Sequence, residues 1–289
     1  MCGQARVGSL DVFNAKHDEI VLWHLRLGHT SFQYLKHLFP SLFSNKSVDS
    51  FQCEICRLVK HHHAHFPSRP YTPSKPFSLI HSDLLGPSKI PTMTGKKWFV
   101  TFIDDHTRVC WVYLLSEKSK AGKTFKVLHS TIKTQCQTNI QVFRSNNGQE
   151  YFNSLLSGYF TKTVIIHQSS YPNTPQQNGI SKRKNRHLLE TAQSLIFTTN
   201  VPKQFWRDAI LAATYLISRL PSQVLNYQTR LDHLLYVFPH IRTLTSIPKT
   251  VFGCTVFVHN YSVNKSKLDP RVIKCMFLGY SPTQKGYCC

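Results

Sequence analysis

Between residues 77 and 115 the apolar positions fall in short runs broken by polar turns. Phe77 to Leu85 (FSLIHSDLL) reads as a strand ended by Gly86-Pro87. Lys97 to Asp104 (KWFVTFID) and Cys110 to Leu115 (CWVYLL) are two further β-rich runs, and the few polar residues between them predict antiparallel neighbours. From Ala121 to Cys136 the period changes to that of a helix, with Phe125, Leu128 and Ile132 on one face. A short strand from Ile140 to Arg144, a helix over about residues 153–162 and a strand from Val164 to Gln168 follow. A loop with Pro172 and Pro175 then leads to two long helices near residues 179–198 and 203–219. Three strands, then helices alternating with strands, predict an α/β domain: a mixed five-stranded sheet flanked by helices.

The pattern breaks at both ends of this region. Residues 67–76 (PSRPYTPSKP) hold four prolines, which exclude a helix or an inner strand and predict an extended linker. It sets apart a small N-terminal module, residues 1–66. Beyond the core, taken as 77–240, the last stretch (241–289) carries two β-rich runs, VFGCTVFVHN and VIKCMFLGYS, around the polar NKSKLDPR. They predict a small β module, and the chain is expected to be part of a longer reading frame.

Composition narrows the function classes. Thirty-five Lys and Arg against 14 Asp and Glu give a formal charge of +21 over 289 residues, which predicts polyanion partners, nucleic acid first. No apolar run reaches the roughly 18–20 residues needed to span a bilayer. The N-terminal MCGQARVGSLDVF lacks the apolar core of a signal peptide, so cytoplasm and nucleus are the expected locations, with no membrane partner. Nine cysteines, mostly single among apolar neighbours (Cys110, Cys254, Cys275), point to reduced, buried thiols rather than a disulfide framework.

Two imidazoles, His24 and His29 in WHLRLGH, and two thiols, Cys53 and Cys56 in CEIC, make a complete tetrahedral set for a structural zinc ion. On a straight helix the two histidines would lie about 140° apart, so Gly28 is expected to let His29 swing back. The nearby His61, His62, His63 and His65 are a competing source of ligands, but they crowd against the Cys pair and read as solvated and basic.

Several long segments now stand in one order: WHLRLGH, CEIC, FSLIHSDLLGP, FVTFIDDHTR, RSNNGQEY, HQSSYPNTPQQNGISKRKNRHLLETA and VFGCTVFVH with KLDP and KCMFLGYSPTQKGY. In that order they resemble the integrase region of copia-type LTR retrotransposon Pol polyproteins, from about Leu22 to the end. The resemblance implies a zinc-binding pre-integrase module, a ribonuclease-H-like core and a β-rich C-terminal module. It also implies joining of element DNA to host DNA, action as a homo-oligomer, and two Mg²⁺ ions held by an Asp, a second Asp and a Glu. Such a metal pair activates the attacking oxygen and supports the leaving one.

Against that pattern the chain departs twice. Asp83 matches the first carboxylate, but Asn146 stands at the second and Lys182 at the third, with 35 residues between them as the family spacing requires. One negative charge and one positive charge replace three negative ones, and an ammonium group repels a dication. Mg²⁺ is therefore not expected to bind productively, and strand transfer is expected to be lost. Glu190 is expected to lie too far along its helix to substitute, and Asp104 and Asp105 match the family's own FIDD and are not replacements. The helix opening at SKRKNRH is expected to place Lys182, Arg183, Lys184 and Arg186 on phosphates. PQQNG, with Gln176, Gln177, Asn178 and Gly179, matches the family's active-site loop. The sequence thus predicts an integrase-like DNA-binding protein without catalysis. A non-enzymatic zinc-dependent nucleic-acid-binding module and a decaying element copy without function stand as alternatives.

Overall fold

A computed structural model describes residues 15–59, 74–170, 178–241, 250–261, 270–280 and 286–289. The histidine run at 61–65, most of the proline linker, Pro172, Pro175, Gln176 and Gln177 lie outside the described residues.

The central element is a five-stranded sheet in the order β3-β2-β1-β4-β5. Its strands are β1 (Leu79–Leu85), β2 (Trp98–Asp104), β3 (Cys110–Leu115), β4 (Val142–Ser145) and β5 (Ile166–Ser169). The first three form an antiparallel meander, with Asp83 opposite Thr101 and Phe102 opposite Trp111. Helix α4 (Ala121–Cys136) carries the chain across the sheet so that β4 joins β1 in parallel, and α5 (Ser154–Thr163) does the same for β5. This is the predicted mixed sheet with the strand order of a ribonuclease-H-like core.

Strand β2 is buried on both sides, as a central strand must be. On one face Val100 and Phe102 meet Phe125, Leu128 and Ile132 of α4 together with Phe143 and Phe160. On the other, Phe99 and Ile103 meet the long helix α6 (Gly179–Thr199) and α7 (Trp206–Ser218). Helix α8 (Arg230–Val237), which the sequence pattern did not suggest, adds Leu234 to the α4 cluster.

The N-terminal module consists of α1 (Ala15–Arg26), α2 (Phe32–Leu38) and α3 (Glu54–Val59). Its apolar residues Ile20, Leu27, Leu35, Phe43 and Phe51 belong to the same cluster as Leu188, Leu195, Ala213 and Leu216 of α6 and α7. A module of this size has too little apolar surface to close a core of its own, and here it borrows one.

At the C-terminal end β6 (Thr255–His259) pairs antiparallel with β7 (Val272–Met276), and β8 (Gly279–Tyr280) with β9 (Tyr287–Cys288). Tyr280 stacks on Tyr215 of α7 with ring centroids 4.0 Å apart. The eight described cysteines are all free thiols. Cys110 is buried as expected, whereas Cys254, just before β6, and Cys275, within β7, are only half-buried, because β6 pairs with β7 alone in a two-stranded sheet. No helix among the described residues is long and apolar enough to cross a membrane.

Candidate functional site

His24 sits in the last turn of α1. The chain then reverses through Gly28 (φ 68°) and His29 (φ 59°), two successive left-handed residues, and the His29 amide donates back to the His24 carbonyl at 2.8 Å. A Cβ on Gly28 would lie 2.7 Å from Thr191 Cγ2, so both the backbone and the space require glycine. The swing anticipated for His29 is therefore made by this turn.

Cys53 stands just before α3 and Cys56 within it. His24 Nε2 lies 3.3 Å from Cys56 Sγ, and His29 Nδ1 lies 3.3 Å from Cys53 Sγ and 3.6 Å from Cys56 Sγ. All four donor atoms fall within 4.8 Å of one another. Tetrahedral zinc with ordinary Zn–N and Zn–S bonds needs donors roughly 3.3–3.8 Å apart, so the set fits the ion. Neighbouring bonds also select the ring tautomers. His24 Nδ1 is 2.7 Å from the Thr30 carbonyl, which can only accept, so Nδ1 carries the proton and Nε2 keeps its lone pair for a metal. The Cys56 side chain, and more weakly His24 and His29, hold the Cys53 thiol far below the ordinary thiol range against the opposing effect of burial. A thiolate is the form that ligates.

The carboxylate site lies on the α6 face of the sheet. Asp83 is buried, and both its oxygens are already used. Asn146 Nδ2 donates to Oδ1 at 2.8 Å, Asn185 Nδ2 donates to Oδ2 at 3.0 Å, and the Leu84 amide adds a bond to Oδ1 at 3.1 Å. Thr101 Oγ1 donates to Asn185 Oδ1 at 2.8 Å and so fixes which end of that amide faces the carboxylate. Burial pushes the Asp83 carboxyl above its ordinary range, and the Asn185 and Leu84 bonds and the Lys182 charge only partly oppose this.

Lys182 and Arg186 line the cleft beside Asp83, together with Glu190, Gln193 and Val59 of α3. Glu190 thus shares a cleft wall with Asp83. Even so, the zinc-type group is the one cluster of three or more His, Cys, Asp or Glu side chains among the described residues that could share an ion. Asp104 accepts from the Phe77 and Thr107 amides and the Thr107 hydroxyl. Asp105 accepts from Ser74 and pairs with His81 at 2.8 Å. Both are committed to holding the start of β1.

Of the four basic residues assigned to phosphates, Lys182, Arg183 and Arg186 are exposed, but Lys184 is buried at 8% exposure. Burial, with Arg230 nearby, lowers its pKa from 10.5 to about 7. The folded chain therefore binds fewer protons there than the unfolded chain between about pH 7 and 10.5, and stability rises with pH across that window. Lys184→Met should flatten this slope in pH-dependent melting without weakening DNA binding. A steep slope retained in the variant would contradict the assignment.

Residues 3–61 match the family model for the GAG-pre-integrase domain, and residues 254–289 match that for the retroviral polymerase SH3-like domain. Along 283 residues, 95% of the chain, it is 34% identical to the Retrovirus-related Pol polyprotein from transposon TNT 1-94 of Nicotiana tabacum. It is 36% identical over 272 residues, 92% of the chain, to that from transposon RE2 of Arabidopsis thaliana. The chain belongs to the integrase region of copia-type Pol polyproteins.

It spans only 21% and 18% of the length of these two relatives. Among solved structures, the HTLV-2 integrase catalytic core domain in complex with magnesium aligns with 54% of this chain and 95% of its own, at 14% identity and a TM-score of 0.41. The simian T-cell lymphotropic virus intasome in complex with the PP2A regulatory subunit B56 gamma aligns with 84% and 86%, at 17% identity and a TM-score of 0.46.

Asn185, Thr101 and Thr198 escaped the sequence reading of this integrase-type chain. Extending the apolar period of α6 back from Leu188 by three, four and seven residues lands on Asn185, Lys184 and Ser181, all of which are buried. That was the available signal.

Proposed function

We propose that this chain is an integrase-type nucleic-acid-binding unit that holds a structural zinc ion and has lost metal-dependent strand transfer. The observation that carries the reading is the 2.8 Å bond from Asn146 Nδ2 to Asp83 Oδ1. At a position where the family pattern asks for a second anionic oxygen, a donor N–H instead occupies the first. An amide aimed in this way cannot share a dication with the carboxylate, and the Lys182 ammonium beside it adds repulsion. The residues present do not fit a magnesium pair. They do fit zinc at His24, His29, Cys53 and Cys56, where four protein ligands leave no open position and the ion would cross-link α1 and α3.

Binding of DNA rests on the charge of +21 and on the exposed Lys182, Arg183 and Arg186 along one helix end. In this reading the chain divides into a zinc module, a linker from 67 to 76, a core from 77 to 240 and a β-rich end, and it acts on DNA as a homo-oligomer, as the family does.

Strand-transfer assays of the unmutated chain in Mg²⁺ and in Mn²⁺, run beside salt-dependent DNA binding, test this. No joined product is expected, with binding retained and its salt slope reduced by about one for each of Arg183→Ala and Arg186→Ala. Joined product from the unmutated chain overturns the loss of catalysis, and a slope unchanged in both variants overturns the assigned surface.

A further inference from the structure

We propose that Thr198, near the end of α6, is a positioning residue for the zinc ligand His29, and that zinc occupancy is thereby coupled to the order of the core helix that also carries Asn185 and Lys182. The inference rests on the zinc reading above and adds to it a residue of the catalytic-type core.

The geometry fixes the roles. Thr198 Oγ1 lies 2.7 Å from the Ser194 carbonyl and 2.5 Å from His29 Nε2. A hydroxyl has one proton, and the Ser194 carbonyl can only accept, so that proton goes to Ser194. The Thr198 oxygen then accepts from His29 Nε2–H. Nδ1 of the same ring is consequently the atom with the free lone pair, and it is Nδ1 that faces Cys53 and Cys56. Without the hydroxyl the ring loses both its anchor and its tautomer preference. Such partners behind a ligating histidine are worth about 10–100-fold in metal affinity.

The contact does not stand alone. Gly28, beside His29, packs on Thr191 one helical stretch earlier, and Val59 of α3 lines the Asp83 cleft. The metal-binding turn is thus pressed along the C-terminal half of α6 at two points, with the ring of His29 as the polar one. Ordering the turn around an ion should order residues 191–199 with it.

The full chain is tested with zinc alone, by competition against a chromophoric chelator. Thr198→Val is nearly isosteric and lacks the hydroxyl, and Thr198→Ser keeps it. Thr214→Val removes an equivalent back-bond, from Thr214 Oγ1 to the Ile210 carbonyl at 2.8 Å, on α7 and away from any ligand. Zinc affinity is expected to fall about 10–100-fold in Thr198→Val and to stay at the parental value in Thr198→Ser and Thr214→Val. Stripping zinc from the parent should speed amide exchange in residues 191–199 more than in α4. Equal affinities in parent and Thr198→Val, or equal losses in Thr198→Val and Thr214→Val, overturn the proposal while leaving the zinc site intact. Failure of the parent to bind zinc at all overturns the zinc reading, and this inference falls with it.

Discussion

The double variant Asn146→Asp, Lys182→Glu is expected to gain a melting temperature that rises with magnesium, where the parent is indifferent to it. In the parent, Asp83 is satisfied by protein donors: Asn146, Asn185 and the Leu84 amide cover its two oxygens. The substitution turns the nearest donor into a second carboxylate and replaces the ammonium of Lys182 with a third. Two carboxylates about 4 Å apart repel by about 4 kcal/mol at an effective dielectric of 20, so the metal-free variant should melt below the parent. A dication removes that repulsion and binds only the folded state. At ten times its dissociation constant it contributes about 1.4 kcal/mol, worth roughly 2–3 °C for a chain of this size. Strand-transfer product should appear in the double variant alone, because either single change leaves a donor or a cation in the cage. A double variant whose melting ignores magnesium would mean that Asn185 and Thr101 still hold Asp83 closed, and that the lost catalysis has a second cause.

How much of this was legible in sequence depends on whether the governing interaction is local. β3 and α4 match their predicted bounds because period and turn residues within a few positions decide them, while β1, β4 and β5 each begin two residues late, where edges fray. The gathering of His24, His29, Cys53 and Cys56 was readable because the Cys-x-x-Cys spacing is itself a local constraint. Lys184 was misjudged for the opposite reason. Four basic residues within five positions look like one charged surface, but a helix turns 100° per residue and carries the third of them inward beside Asn185. Helix α8 was missed because Arg230 to Val237 is short, and its place is set by Leu234 meeting residues more than a hundred positions away. The Asn185–Asp83 and Thr198–His29 bonds span 102 and 169 positions, and no local pattern announces such pairs.

Removing the metal ligands should reach further than the module that holds them. Cys53→Ser with Cys56→Ser, or chelation of the parent, is expected to melt α1 to α3 and, in the same step, to loosen α6 and α7. The reason is the shared apolar cluster. Ile20, Leu27, Leu35, Phe43 and Phe51 are each at most 6% exposed, and they are covered by α6 and α7 rather than by one another alone. Structural zinc in small modules supplies an apparent 10–16 kcal/mol, about as much as the whole stability of an ordinary domain, so a module this small should not stay folded without it. Its departure would uncover the α6 and α7 side of the cluster, including Leu195 and Leu216, to water. Far-ultraviolet circular dichroism should therefore lose more helix than the 25 residues of α1, α2 and α3 account for (12, 7 and 6 respectively). Proteolysis should open sites in the second half of α6, while α4, on the opposite face of the sheet, stays protected. A loss confined to α1–α3 would mean that the core closes by itself over the vacated face. The zinc module would then be a passenger on α6 rather than part of the scaffold that holds it.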